Sequence, residues 1–158
     1  MSIVLARVDD RLIHGQVVTS WVAFSGGKRI VIVDDGTAND PFMTNVCKKL
    51  APMGTTVEVY DIESSIDVLN ECMQDDGIKA LVLVRFPQTV LACVERGVPF
   101  QELIVGGMGM RGKRKKLYRN ISADDEERAA MKRLDELGCK VYARILPKDK
   151  PVDVATLL

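Results

Sequence analysis

The sequence predicts an open α/β sheet with helices on both faces, and three observations carry that prediction. Short runs rich in β-branched residues alternate with segments of helical periodicity along nearly the whole chain. The runs 30–33 and 80–84 are continuously apolar, as parallel strands covered on both faces must be. Helix punctuation falls at the joints: Asn39 or Asp40 followed by Pro41 opens one helical stretch, and Gly138 closes another.

Taken in order, residues 3–8 read as a first strand and 15–24 as a helix with Val18, Trp21 and Val22 on its core face. Residues 30–33 form a second strand. The helix after Pro41 is lined by Met43, Val46, Cys47 and Leu50. Residues 56–60 are a third strand, with Ile66, Leu69, Cys72 and Met73 marking the helix behind it. Residues 80–84 are a fourth strand, followed by a short helix from about Pro87 to Gly97, and 101–105 a fifth. A glycine-rich, basic loop follows at 106–116, then a short extended piece at 117–121. Ser122 with Asp125 fits a capping box for the last helix, whose core face reads Ala130, Met131, Leu134 and Leu137. Residues 140–144 are a final strand, and 147–158 a tail with little pattern. The chain shows no repeat, linker or low-complexity segment, so residues 1–158 read as a single domain.

Composition narrows the function classes. Lys plus Arg and Asp plus Glu are balanced at 22 each, so no global field favours nucleic acid, and aromatics at 5% offer no row of base-stacking platforms. No apolar run approaches the ~20 residues of a membrane span, and the apolar start is interrupted at once by Arg7 and Asp9. Cys47, Cys72, Cys93 and Cys139 are widely spaced in apolar stretches and read as buried free thiols. With one histidine and no C-x-x-C, no metal site is expected. These features point to the cytoplasm.

In open α/β sheets, ligands gather at the carboxyl ends of the strands. That rule selects the loops 9–15, 34–40, 85–88 and 106–116. The first holds the only histidine, within Arg7-Val8-Asp9-Asp10-Arg11-Leu12-Ile13-His14-Gly15-Gln16. A helix starting near Gly15 leaves the amides of Gly15, Gln16 and Val17 without intrahelical partners, and such an end stabilises an anion. It disfavours an imidazolium, which keeps His14 neutral and nucleophilic. Arg11, three residues earlier, can clamp two phosphoryl oxygens. Asp9 or Asp10 can orient Arg11 or the far ring nitrogen. Together these are the parts phosphoryl transfer needs. A lone loop histidine is also ordinary polar surface, and the residues alone leave both readings open.

The segment from Arg7 to Val17 resembles the signature R-(V/I)-D-(D/E)-R-(L/I)-(I/V)-H-G-Q-V of IIB components of the mannose/fructose/sorbose family of the bacterial sugar phosphotransferase system. Trp21, Val33-Asp34-Asp35, Pro87, Gly97-Val98-Pro99 and Val105-Gly106-Gly107-Met108 extend the likeness over nearly the whole chain. The resemblance implies that His14 accepts a phosphoryl group at Nδ1 from a phosphohistidine on a IIA domain. It further implies that His14 passes the group to a sugar entering through the membrane components IIC and IID, with Arg11 steadying it. Catalytic roles thus fall to His14, Arg11 and Asp10, and phosphate contacts to Gly15, Gln16 and Val17. No cofactor is implied. The protein would lie against the permease at the membrane, and relatives are often dimers. The implied fold is a mostly parallel sheet of about seven strands with one antiparallel, for which residues 117–121 are the candidate.

Arg7, Asp35, Arg85 and Gly107 sit at the same strand ends and are read as supporting residues. The glycines of Gly107-x-Gly109-x-x-Gly112 fit a dinucleotide-binding pattern, but the basic run 111–116 follows instead of an apolar helix face. That run reads as a solvated loop, with a rim that attracts an acidic IIA surface as the alternative. Two other classes stay on the table: a doubly wound nucleotide- or metabolite-binding regulatory domain, and a docking module using the basic loop. The methionines are expected to fill the core.

Overall fold

The computed structural model describes residues 3–158. Strands β1 (Ile3–Asp9), β2 (Arg29–Val33), β3 (Thr56–Tyr60), β4 (Ala80–Val84), β5 (Glu102–Gly107), β8 (Lys140–Ala143) and β9 (Val152–Asp153) form one sheet in the order β3-β2-β4-β1-β5-β8-β9. All neighbours run parallel except β8 and β9. Between β5 and β8 lies a separate antiparallel hairpin of β6 (Lys115–Tyr118) and β7 (Ile121–Ala123).

The strands alternate side chains between two cores, as a period of two requires. Ala6, Val8, Val31, Val33, Val82 and Val84 face helices α4 (Ile62–Gln74), α5 (Pro87–Glu95) and α6 (Asp125–Glu136), meeting Leu69, Val90, Cys93, Met131 and Leu134. Leu5, Ile30, Ile32, Leu81 and Leu83 face α1 (Gly15–Ser25) and α3 (Pro41–Lys49), meeting Val18, Trp21 and Cys47. Central strands buried on both faces account for the unbroken apolar runs.

Four local details depart from the sequence expectation. The segment 117–121 is no strand of the main sheet: Arg119 turns it at φ +50°, making the β6–β7 hairpin. The antiparallel member is β9, from the tail, where two residues leave no periodicity to read. Helix α6 is capped by Asp124, whose carboxylate accepts from Glu127 N, while Glu127 reaches back to Asp124 N. Ser122 is buried in β7 instead, two residues too early. A four-residue helix, α2 (Asp35–Ala38), also precedes α3, capped by Asp34. Of the methionines, Met108 and Met131 are core, but Met43, Met53 and Met110 are exposed. Leu50 and Leu137, at helix ends, are exposed too.

The topology places one edge for chemistry. From β1 the chain turns to the α1 face, whereas its neighbours β4 and β5 lead to helices on the opposite face. A crevice therefore opens above the carboxyl end of β1, where strand order reverses.

Candidate functional site

The chain leaves β1 through a tight turn. Asp9 accepts from Leu12 N at its carbonyl (3.0 Å) and from Arg11 N at its carboxylate (2.9 Å). Leu12 has φ +57°, a region costly for a residue with a Cβ. It is held there because its side chain and that of Ile13 are buried in the α1 core. Anchored by that pair, the next residue, His14, sits at the surface as the N-cap of α1.

Its side chain caps nothing, and the N–H groups of Gly15, Gln16 and Val17 meet no acceptor among the described residues. The α1 start is therefore an uncapped helix end with free N–H groups. The His14 side chain is 22% exposed, with Nδ1 3.8 Å from Asp9 Oδ1. Both ring nitrogens are covered and lack a hydrogen-bond partner, so the exposed part of the side chain is carbon. Arg11 stands beside it with its side chain 67% exposed and Nε 3.9 Å from Asp9 Oδ1.

Beneath the turn lies a buried ion pair, Arg7 with Asp9. Burial pulls the Arg7 guanidinium down to about 10, partly offset by Asp9, so it stays cationic near neutrality. Arg7 also donates to Arg144 O (3.1 Å) and lies 5.2 Å from the Trp21 ring centre. The pair explains Gly106-Gly107: a Cβ at Gly106 would stand 2.0 Å from Arg7 Nη1, and one at Gly107 2.3 Å from Asp9 Cγ. A shift in register between β1 and β5 sets Asp9 opposite Gly107. Arg7, Asp9, Arg11, Val17, Gly107 and Asn120 share a cleft of about 290 Å³.

Asp10, expected to be catalytic, lines the same cleft but has its carboxylate engaged by residues 109–114. Its carboxylate takes Arg114 Nη1 and Nη2 at 2.7 and 2.9 Å, Gly109 N at 2.9 Å and Arg111 at 3.4 Å. Burial pushes its pKa up, but these hydrogen bonds and charges outweigh that and hold it below the ordinary carboxylate value. Arg85 donates to Asp10 O (3.2 Å), a loop-bracing role. Asp35 lies elsewhere, accepting from Ile62 N at the start of α4 (2.8 Å). The basic run is not all rim either, since Arg114 is buried between Asp10 and Glu127. The signal for it was present: Glu127 lies on the apolar stripe of α6, and a buried acid requires a cation.

The glycine pattern from Gly107 leads into β6 and not a helix, so the dinucleotide geometry is absent. A larger cavity of about 530 Å³ lies beyond Arg114, lined by Gln88, Thr89, Lys113 and Glu126. His14 does not line it.

Residues 3–158 match the model of the family described as "PTS system sorbose subfamily IIB component". The chain belongs to this family of phosphotransferase-system IIB components. IIB components of this family are sugar phosphotransferases. The sorbose-specific EIIB component of Klebsiella pneumoniae is 37% identical over 98% of this chain and 93% of that protein. The mannose-specific EIIAB component of Escherichia coli (strain K12) is 34% identical over 100% of this chain and 49% of its own length. The crystal structure of the IIBSor domain of the sorbose permease from K. pneumoniae superposes with a TM-score of 0.90 at 35% identity, covering 99% and 95% of the two chains. This IIB component thus has the seven-stranded, mostly parallel fold of its relatives.

Proposed function

We propose that this IIB component carries a phosphoryl group on His14 Nδ1, taken from a phosphohistidine of a IIA partner and given to a sugar at a IIC/IID permease. The observation that carries the reading is a histidine whose two ring nitrogens have no hydrogen-bond partner, placed at the uncapped start of α1 beside the exposed guanidinium of Arg11. A buried polar group left unpaired is costly, and such groups concentrate where a ligand or reaction completes them.

In the transfer, the ring turns about Cβ–Cγ so that Nδ1 faces the incoming phosphorus. The Nδ1–P bond forms as the donor's N–P bond breaks, with the equatorial oxygens held by Arg11 and the amides of Gly15, Gln16 and Val17. Asp9 and the buried Arg7 hold the floor of the site. For the second half, the sugar hydroxyl oxygen attacks phosphorus as the Nδ1–P bond breaks and its electron pair returns to the ring, the hydroxyl proton passing to water. The relatives named sorbose- and mannose-specific support a sugar as the final acceptor. A IIA partner fits the EIIAB relative, of which this chain covers about half. No helix among the described residues is long and apolar enough to cross a membrane, which agrees with a carrier working at the cytoplasmic face of the permease. A homodimer is part of the same reading.

The test is labelling with phosphoenolpyruvate, the general phosphotransferase proteins and a IIA domain. Acid-labile, alkali-stable phosphate is expected on the wild type and none on His14→Ala. Full labelling of that variant would move the chemistry to another residue.

A further inference from the structure

We propose that Arg114 is a positioning residue for transfer at His14, acting through Asp10; this rests on His14 being the acceptor. Its side chain is 3% exposed, and all of its N–H groups are used. Nε and Nη2 donate to the two oxygens of Glu127 at 2.9 and 2.7 Å. Nη1 and Nη2 donate to the two oxygens of Asp10, and the second Nη1 hydrogen goes to Gly109 O at 2.8 Å. One planar fork thus spans two carboxylates and a carbonyl, a task that a lysine's single ammonium cannot perform.

What it grips matters for chemistry. Asp10 immediately precedes Arg11, and its backbone is pinned as well: its N–H donates to Gly107 O (2.8 Å) and its carbonyl accepts from Arg85. Just beyond it Leu12 holds a left-handed backbone that relaxes unless the turn is fixed on both sides. Burial of Leu12 and Ile13 fixes one side, and Arg114 fixes the other. Glu127 belongs to the capping box of α6, so the anchor is the start of a packed helix and not a mobile loop. Arg114 itself does not line the cleft that Arg11 and Asp9 share. It sets where that guanidinium and ring stand without touching the phosphoryl group.

The experiment compares single-turnover transfer from phosphorylated IIA to wild type, Arg114→Lys, Arg128→Ala and His14→Ala, alongside thermal melts. Arg128 is the control, because it ties the same hairpin to α6 through Ala123, Lys115 and Lys116 carbonyls without reaching Asp10. Arg114→Lys should slow transfer at least tenfold with KM for IIA within about threefold of wild type, since Arg114 is buried and out of a partner's reach. Arg128→Ala should melt earlier yet transfer within twofold of wild type. Wild-type transfer by Arg114→Lys, or equal slowing in both variants, overturns the proposal. If Arg114→Lys does not fold, Asp10→Asn breaks the same link from its other end: slowed transfer supports the proposal and wild-type transfer overturns it. Labelling of His14→Ala would overturn the acceptor reading and this inference with it. An unlabelled His14→Ala beside a fast Arg114→Lys overturns this inference alone.

Discussion

Residues 9–14 and 108–114 meet above the end of β1, and they are held there by different means. The first segment is fixed mainly at its ends by its own neighbours, through the Asp9 turn and the burial of Leu12 and Ile13 at the start of α1, while Asp10 between them is held from residues 85–114. The second is fixed by partners distant in sequence, Arg114 reaching Asp10 across 104 residues and Glu127 across 13. A reactive segment built from local contacts keeps its shape while a partner docks. A segment built from remote ion pairs transmits the position of α6 and the sheet to that edge. The pairing of the two gives a site in which a locally built turn is braced from the start of a distant helix.

The largest expected effect tests the locally built side. Trp21 is fully buried, donates from Nε1 to Ile145 O (3.3 Å), and lies within 5.4 Å of the Arg144 guanidinium as well as against Arg7. Trp21→Ala should destabilise by ~3–5 kcal/mol in urea unfolding; a loss under about 1 kcal/mol would show that the floor does not depend on α1. Next is Arg11→Ala. Removing one charge-stabilising donor slows transfer by roughly 10²-fold, while an exposed side chain changes stability by no more than about 0.5 kcal/mol. Parallel loss of fold and transfer would make Arg11 a structural residue.

Gly107→Ala tests the seam between the segments. The new methyl displaces the Asp9 carboxylate, and overpacking of this kind costs ~1–3 kcal/mol, with slower transfer measured in the same preparation. Unchanged stability and rate would mean that Asp9 has slack. The smallest effect concerns pH. The Asp10 pKa lies below 3.8 in the fold, so its contribution is present above the unfolded value and is lost as pH falls through the lower folded one. Acid unfolding should therefore steepen below about pH 4 in the wild type. Asp10→Asn should be less stable at pH 7 and flatter across that acid limb; identical acid limbs would show that Asp10 does not couple to folding.

The same contrast explains what the sequence made legible. Strands, helices and the His14 segment rest on local periodicity and cap chemistry, and a short signature suffices to read them. Helix α1 and strands β3 and β4 fall within a residue of expectation for that reason. Apart from the α6 cap at Asp124 and the short helix α2, what escaped was non-local. That Asp9 lies beside the ring while Asp10 is taken by Arg114 follows from a partner 104 residues away. Gly106 looks like loop flexibility until Arg7 is seen against it. The β9 pairing involves two residues whose only claim to being a strand is the neighbour they meet. Glu127 was the one long-range clue within reach, as a carboxylate on an apolar stripe.

Phosphorus and nitrogen NMR of the protein after phosphorylation by IIA measures most directly where the group resides. The account predicts a single phosphoramidate with its phosphorus coupled to Nδ1 of His14. A phosphorus signal coupled to Nε2, or one that persists in His14→Ala, would contradict it.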